Sequence, residues 1–90
     1  MPSAHRVDWT ATAKRDLARL PEKVAIAVVE FIYSALAENP RRVGHEQRLE
    51  LAGRHSTRRG GFRVIYIVDD DNNRVTISDV KLRGDVYRRS

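Results

Sequence analysis

The sequence of 90 residues contains no cysteine and no long hydrophobic run. The absence of cysteine excludes disulfide frameworks, cysteine-based zinc sites and thiol catalysis. The longest apolar run, residues 24–29, is far shorter than the roughly 20 residues that a membrane-spanning helix needs. Residues 1–6 also lack the apolar core of a signal peptide. We therefore expect a single domain, residues 1–90, in the reducing environment of the cytoplasm and away from any membrane.

Lysine is scarce as well, with three residues against 14 arginines, and the cations are unevenly distributed. Residues 1–40 and residues 64–90 each carry five basic and five acidic side chains. Residues 41–63 carry seven arginines and two glutamates, which accounts for the whole net charge of +5. The planar guanidinium group of arginine matches the geometry of phosphate. Positive charge that is concentrated in one segment indicates a polyanionic partner.

The first half of the chain predicts a short strand and two helices. The strand covers residues 5–9 and leads to Thr10 or Thr12, either of which can cap the first helix. Residues 20–22 (Leu-Pro-Glu) end that helix and begin the second, because proline is well suited to the first turn of a helix. Residues 39–40 (Asn-Pro) end the second helix. Each helix has apolar residues at the spacing of one buried face.

The second half of the chain predicts a sheet. The predicted elements are strands over residues 48–51, 54–59, 62–68 and 74–80, followed by a last helical turn over residues 85–89. The strand over 62–68 is the most apolar and is expected at the centre of the sheet, and Gly60-Gly61 predicts the hairpin turn before it. The fold class is thus α+β in the order β-α-α-β-β-β, with two antiparallel helices packed on one face of an antiparallel sheet.

The two faces of that sheet are expected to differ. Alternation along the central strand places Arg63, Ile65 and Ile67 on one face. The other face receives the remaining apolar side chains of that strand, namely Phe62, Val64, Tyr66 and Val68. In the last strand, Val75, Ile77 and Asp79 are expected to share a face. Because an arginine lies beside the polar strand 54–59, we expect one face of the sheet to be open and cationic.

Three segments of the sequence resemble the RelE/ParE toxin superfamily. Residues 51–66 match its central signature, Leu-x-Gly followed by Arg-x-Gly-x-aromatic-Arg-hydrophobic-x-Tyr. Residues 12–21 are similar to its first helix, and residues 80–88 are similar to its C-terminal motif. The three segments follow the order of the family and span nearly the whole chain. They look most like the RelE branch of actinobacterial type.

The resemblance implies the toxin of a type II toxin–antitoxin system. RelE-like toxins enter the ribosomal A site and cleave the mRNA there, without a metal ion or another cofactor. A small antitoxin restrains such a toxin by wrapping it with a helix and an extended tail. The complex of the two binds operator DNA through the antitoxin. Ribosome, mRNA and antitoxin are therefore the expected partners.

The resemblance also assigns expected catalytic roles. Arg63 matches the arginine that contacts the scissile phosphate, and Tyr87 matches the C-terminal tyrosine that stacks on a base and can accept a proton. A free phenol has a pKa of about 10, so this role requires cations nearby. Lys81 and Arg83 can supply them, with Arg83 the better match to the family. The chain has a leucine where many relatives have a histidine, which leaves the general acid unassigned.

A second group of residues is expected to bind RNA phosphates. It consists of Arg54, Arg58, Arg59 and His55, all from the polar strand. For Arg59 the alternatives are exposure to solvent and contact with ribosomal RNA. Arg58 matches the arginine before the glycine of the signature, and Arg54 lies near a lysine position of RelE toxins. Some relatives use a histidine or a glutamate for proton transfer, so His55, His45 and Glu46 are also acid–base candidates.

Two other functions are compatible with the sequence. ParE-like toxins share the expected fold but inhibit DNA gyrase instead of cleaving RNA. A nucleic-acid-binding domain without catalysis would use the same basic segment for phosphates alone, and its binding would depend steeply on salt. An inactive relative of the toxins is the remaining alternative.

Overall fold

The computed structural model describes residues 4–46 and 54–82. The strands in this part of the chain are β1 (Arg6–Trp9), β2 (His45–Glu46), β3 (Arg54–Arg59), β4 (Phe62–Asp69) and β5 (Arg74–Leu82). The helices are α1 (Ala11–Ala18), α2 (Glu22–Phe31), which continues into a π-helical turn (Ile32–Leu36), and the short α3 (Pro40–Val43). The α+β fold class is confirmed. The strand expected at 48–51 and the helical turn expected at 85–89 lie outside the described residues.

The sheet has the strand order β1-β5-β4-β3-β2, with β4 at its centre as expected. β3, β4 and β5 form an antiparallel meander because short turns connect them. β1 pairs with β5 in parallel, Arg6 opposite Arg74 and Trp9 opposite Ile77, so the expectation of an entirely antiparallel sheet is wrong. The two helices separate β1 from the other strands, and such a connection, unlike a hairpin, permits a parallel pair.

The helices begin where the sequence predicts, and α1 ends at Ala18, shortly before the predicted break at residues 20–22. The Thr10 side chain accepts a hydrogen bond from the Ala13 backbone N–H and caps α1. Pro21 precedes the first turn of α2. The second helical run ends before Asn39, as predicted, and Pro40 then occupies the first turn of α3, because a proline needs no hydrogen-bond acceptor at a helix start.

The helices cover one face of the sheet and form the core with it. The buried apolar side chains of this core include Val28, Phe31, Ile32 and Leu36 from the helices and Phe62, Val64, Tyr66, Val75, Ile77 and Val80 from the strands. The pairing of β4 with β5 shifts register next to Ile65. This irregularity turns Val80 into the core and leaves Asp79 partly exposed, so the placement of Asp79 on the face of Val75 and Ile77 is wrong. None of the helices within residues 4–46 and 54–82 has the length and apolarity to cross a membrane.

Candidate RNA-binding face of the sheet

Three cations lie side by side on the sheet face that the helices leave uncovered. Arg58 of β3 is paired with Arg63 of β4, and Arg63 is paired with Lys81 of β5. We call these three residues the cationic row. Like charges in directly opposite strand positions destabilise a sheet. The row is therefore better explained by binding of an anion than by folding.

Arg54 lies on the same face at the other end of β3. Its neighbour across the strands is Ile67 of β4, which is 36% exposed. Four residues along a strand correspond to about 13 Å, so Arg54 can contact a different phosphate from the one at Arg58. The Nε atom of Arg54 is buried and has no hydrogen-bond partner within the described part of the chain. A buried donor of this kind favours an acceptor such as a phosphate oxygen.

The members of the row differ in their acidic neighbours. The Nζ atom of Lys81 lies 3.4 Å from Oδ2 of Asp16 and 3.8 Å from Oδ2 of Asp79. Within residues 4–46 and 54–82, neither Arg58 nor Arg63 has a carboxylate at ion-pair distance. Within this part of the chain, the charge of the two guanidinium groups is thus available for a ligand.

Two of the predicted phosphate-binding residues lie on the opposite, helix-covered face. His55 is 2% exposed and stacks on the ring of Tyr66 at a centroid distance of 5.4 Å. The guanidinium of Arg59 lies over the ring of Phe31, 5.0 Å from its centroid. His55 does not lie on the uncovered face with the cationic row, because alternation along β3 turns this side chain into the core. Arg59 is exposed but is separated from the cationic row by the sheet.

The remaining predicted residues are only partly covered by the structure. Arg83 and Tyr87 lie outside the described residues. His45 and Glu46 form β2, and their backbones pair with Ser56 and His55. The structure therefore brings together Arg58, Arg63 and Lys81, with Arg54 further along the same face.

A buried tyrosine fixes the chain that leads into β2. The Tyr66 hydroxyl donates a hydrogen bond to the Pro40 carbonyl oxygen, and the Thr57 hydroxyl donates one to the Val43 carbonyl oxygen at 2.7 Å. Burial raises the pKa of Tyr66 to about 12. A Cβ atom at Gly44 would collide with the Tyr66 hydroxyl and would lie 2.8 Å from the Ser56 carbonyl oxygen. Sequence reasoning missed this contact, although a tyrosine in an apolar strand signals that its hydroxyl needs a partner.

A second contact that the sequence did not predict joins α1 to β5. Asp16 accepts a hydrogen bond from the backbone N–H of Val80 at 3.1 Å and also pairs with Lys81. The Asp16 side chain is 11% exposed. Asp16 lies near the C-terminal end of α1, where a negative charge does not stabilise the helix. This position was a sequence signal that the side chain has a partner elsewhere.

Comparison with known proteins identifies the family of this chain. The family described as the ParE toxin of type II toxin–antitoxin systems (parDE) matches residues 7–87. A protein named Toxin RelE from Mycobacterium tuberculosis is 50% identical over 84 residues, which cover 93% of this chain and 87% of that protein. A protein named Toxin RelG from the same organism is 47% identical over 85 residues, which cover 94% of this chain and 98% of that protein.

A solved structure supports the same assignment. A chain of the toxin–antitoxin complex RelBE2 from Mycobacterium tuberculosis superposes with a TM-score of 0.86 at 44% identity, covering 90% of this chain and all of that one. The fold and these matches define a small toxin domain. The chain belongs to the ParE toxin family of type II toxin–antitoxin systems. Its identity to toxins named RelE and RelG confirms the resemblance to the RelE branch.

Proposed function

We propose that this toxin is an endoribonuclease that cleaves mRNA on the ribosome. The observation that carries the proposal is the cationic row on an uncovered sheet face, with two arginines that have no ion-pair partner among the described residues. Three adjacent cations can hold one phosphate and the charge that it gains during cleavage. The resemblance to RelE toxins supports RNA as the source of that phosphate.

The proposed chemistry is attack of a ribose 2′-hydroxyl on the adjacent phosphate. The reaction needs a base for the 2′-hydroxyl, stabilisation of the phosphorane and an acid for the leaving 5′-oxygen. Arg63 occupies the centre of the row and stabilises the phosphorane. Tyr87 accepts the proton of the 2′-hydroxyl or stacks on a base. Arg83 and Lys81 are the cations that stabilise its phenolate form. No metal ion takes part in this scheme.

Two further arginines extend the binding surface for RNA. Arg58 binds the phosphate next to the one at Arg63, because the two side chains come from directly paired residues. Arg54, whose Nε atom has no hydrogen-bond partner among the described residues, binds a more distant phosphate. Its distance from Arg58 suits an RNA strand that runs along β3.

We also propose a small antitoxin as the partner of this toxin in the cytoplasm. The related chain of Mycobacterium tuberculosis was solved as a toxin–antitoxin complex. An acidic tail of such an antitoxin is complementary to the charge of +5 that residues 41–63 carry. Binding there would cover the cations that RNA needs. Operator DNA is then bound through the antitoxin.

The test is cleavage of a translated mRNA, mapped by primer extension after induction of the toxin and in a purified translation system. We expect cuts within codons, only on ribosome-bound mRNA. Arg63→Ala should reduce cleavage about 100-fold or more, as loss of a transition-state donor does. Arg74→Ala is the matched control, because Arg74 pairs with Asp8 elsewhere on this sheet and should leave cleavage unchanged.

Other outcomes identify the alternative functions. Growth arrest with a DNA-damage response and intact mRNA would mean that gyrase is the target. Salt-dependent binding of free RNA without cleavage would mean a binding domain. Full cleavage by the Arg63→Ala protein would remove Arg63 from the mechanism.

A further inference from the structure

The last residues of β5 lie next to the start of α1. β1 ends at Trp9, which pairs with Ile77, so the described strands leave one edge of β5 uncovered from Ser78 onwards. The start of α1 meets this edge, since the Thr10 N–H donates to the Ile77 carbonyl at 3.0 Å and the Thr10 hydroxyl to the Ser78 carbonyl at 2.9 Å.

Asp16 continues this contact along the edge. Its Oδ2 atom accepts a hydrogen bond from the Val80 backbone N–H at 3.1 Å. The same oxygen lies 3.4 Å from Nζ of Lys81. One nearly buried carboxylate oxygen thus holds both the backbone of β5 and the side chain of the next residue, which belongs to the cationic row.

A second carboxylate restricts the Lys81 ammonium from its own strand. Oδ2 of Asp79 lies 3.8 Å from Nζ of Lys81. The Asp79 carboxylate is itself fixed, because the Ser78 hydroxyl donates a hydrogen bond to its Oδ1 atom at 2.6 Å. The ammonium group therefore lies between two carboxylates, and the one from α1 is the more buried, 11% against 23% exposed.

The position of Asp16 in α1 is unfavourable for the helix itself. It lies in the last turn of a helix that ends at Ala18. The negative end of the helix dipole repels an anionic side chain there. The contacts with β5 offset this repulsion. They, and not helix formation, explain why an aspartate occupies this position.

We propose that Asp16 is a positioning residue for RNA cleavage, acting through Lys81. By binding the Val80 N–H it fixes the end of β5, and by pairing with Lys81 it sets where the third cation of the row lies relative to Arg63. Asp16 does not contact the RNA. This inference rests on the proposed function, since Lys81 matters for cleavage only if the row binds the scissile phosphate.

The variant that tests it is Asp16→Asn, which keeps an oxygen acceptor for the Val80 N–H and removes the nearer and more buried of the two charges that hold Lys81. We expect kcat for ribosome-dependent cleavage to fall about 10-fold, within the loss that misplacement of a group by about 1 Å can cause, with KM changed less than about 2-fold. The matched control is Asp8→Asn, which breaks the Asp8–Arg74 ion pair of 3.2 Å and should leave kcat unchanged. A wild-type kcat for Asp16→Asn would overturn the proposal.

A double-mutant cycle separates positioning from general stability. In the Lys81→Met variant, kcat should fall about 10-fold, as in Asp16→Asn. Adding Asp16→Asn to Lys81→Met should not lower kcat further, because Asp16 would have no cation left to position. The Lys81 side chain is 54% exposed, so its replacement leaves the packing of the core unchanged and the variant is expected to fold. Wild-type cleavage by Lys81→Met, or a further 10-fold loss in the double variant, would overturn the proposal.

NMR provides a readout that does not depend on cleavage. Asp16→Asn should shift the side-chain signals of Lys81 and leave the exchange protection of the Val80 amide unchanged. Unchanged Lys81 signals would overturn the proposal even if kcat falls. If the wild-type protein does not cut mRNA, the proposed function fails, and the Lys81 signals still decide whether Asp16 positions this side chain.

Discussion

The two faces of the sheet are built from the same strands and have opposite compositions. Along β4, Val64 and Tyr66 are fully buried against the helices. Their neighbours Arg63, Ile65 and Ile67 lie on the uncovered face, and they are partly or largely exposed. One eight-residue strand thus supplies the centre of the core and the centre of the cationic row.

The difference between the faces separates the residues that stabilise the fold from the residues that are available to bind a ligand. On the covered face, polar groups such as the Tyr66 hydroxyl and the Thr57 hydroxyl have backbone acceptors. On the uncovered face, like charges are placed opposite one another, which costs stability. We therefore expect substitutions on the covered face to reduce stability and substitutions on the uncovered face to reduce activity. The following predictions test that division.

Gly44→Ala should have the largest effect, on the covered side. The added methyl group would collide with the Tyr66 hydroxyl and with the Ser56 carbonyl oxygen, and overpacking against buried groups costs about 3 kcal/mol. Denaturant unfolding measures this loss. Gly61→Ala is the control, because a Cβ atom there meets nothing within 4 Å and should change the free energy of unfolding little. Equal stability of the two variants would contradict the close packing at Gly44.

Val64→Ala and Arg63→Ala compare neighbouring residues on the two faces. Val64 is fully buried, and removing its two methyl groups should cost about 2 kcal/mol of unfolding free energy. Arg63→Ala should leave unfolding within about 0.5 kcal/mol of the wild type. Cleavage per folded molecule should show the reverse order. A large loss of stability in the Arg63→Ala protein would show that the faces do not divide the two roles.

Local patterns were sufficient to predict much of this arrangement. Alternation in residues 62–68 gave the two faces, Gly60-Gly61 gave the hairpin, and Thr10 was one of two expected caps. Each of these features depends on residues that are close in sequence. The grouping of Arg58 with Arg63 follows in the same way, because a two-residue turn determines the register of the hairpin.

Contacts between distant segments could not be predicted in this way. The parallel pairing of β1 with β5 and the bond of Asp16 to Val80 join residues more than 60 positions apart. The bulge in the pairing of β4 with β5 shifts the alternation by one residue, so that Val80 instead of Asp79 faces the core. His55 was assigned by residue type in a polar segment, although its phase in β3 places it in the core. Sequence patterns here predict faces and turns, whereas partners across the fold depend on tertiary packing.

Arg58→Ala and Arg59→Ala sharpen the comparison between the faces with adjacent, chemically identical residues. Arg58 belongs to the cationic row, so its loss should lower cleavage about 10-fold, equivalent to about 1.4 kcal/mol. Arg59 lies over the Phe31 ring, and its loss should cost about 0.5–1 kcal/mol of stability with cleavage unchanged. Ribosome-dependent cleavage and thermal unfolding of both variants provide the measurements. Equal cleavage defects in the two variants would show that Arg59 also binds RNA.

Tyr66→Phe should have the smallest effect and a distinctive pH dependence. At neutral pH the variant loses the hydrogen bond to the Pro40 carbonyl oxygen, which costs about 1 kcal/mol. Burial raises the pKa of Tyr66 from 10.0 to about 12. Because the folded-state pKa is the higher one, the contribution of the neutral phenol is complete below pH 10 and is lost as the pH rises towards 12. The difference in unfolding free energy between wild type and variant should therefore shrink above pH 10.

Urea unfolding between pH 8 and pH 11 measures this convergence. Tyr33→Phe is the control, since Tyr33 is 52% exposed and its hydroxyl accepts a hydrogen bond from the Trp9 indole N–H. It should follow the pH dependence of the wild type, because Tyr66 is still present. Parallel stability curves for wild type and Tyr66→Phe would show that the Tyr66 hydroxyl has the same pKa in the folded and the unfolded protein. The covered face would then tolerate alkaline conditions better than its buried phenol predicts.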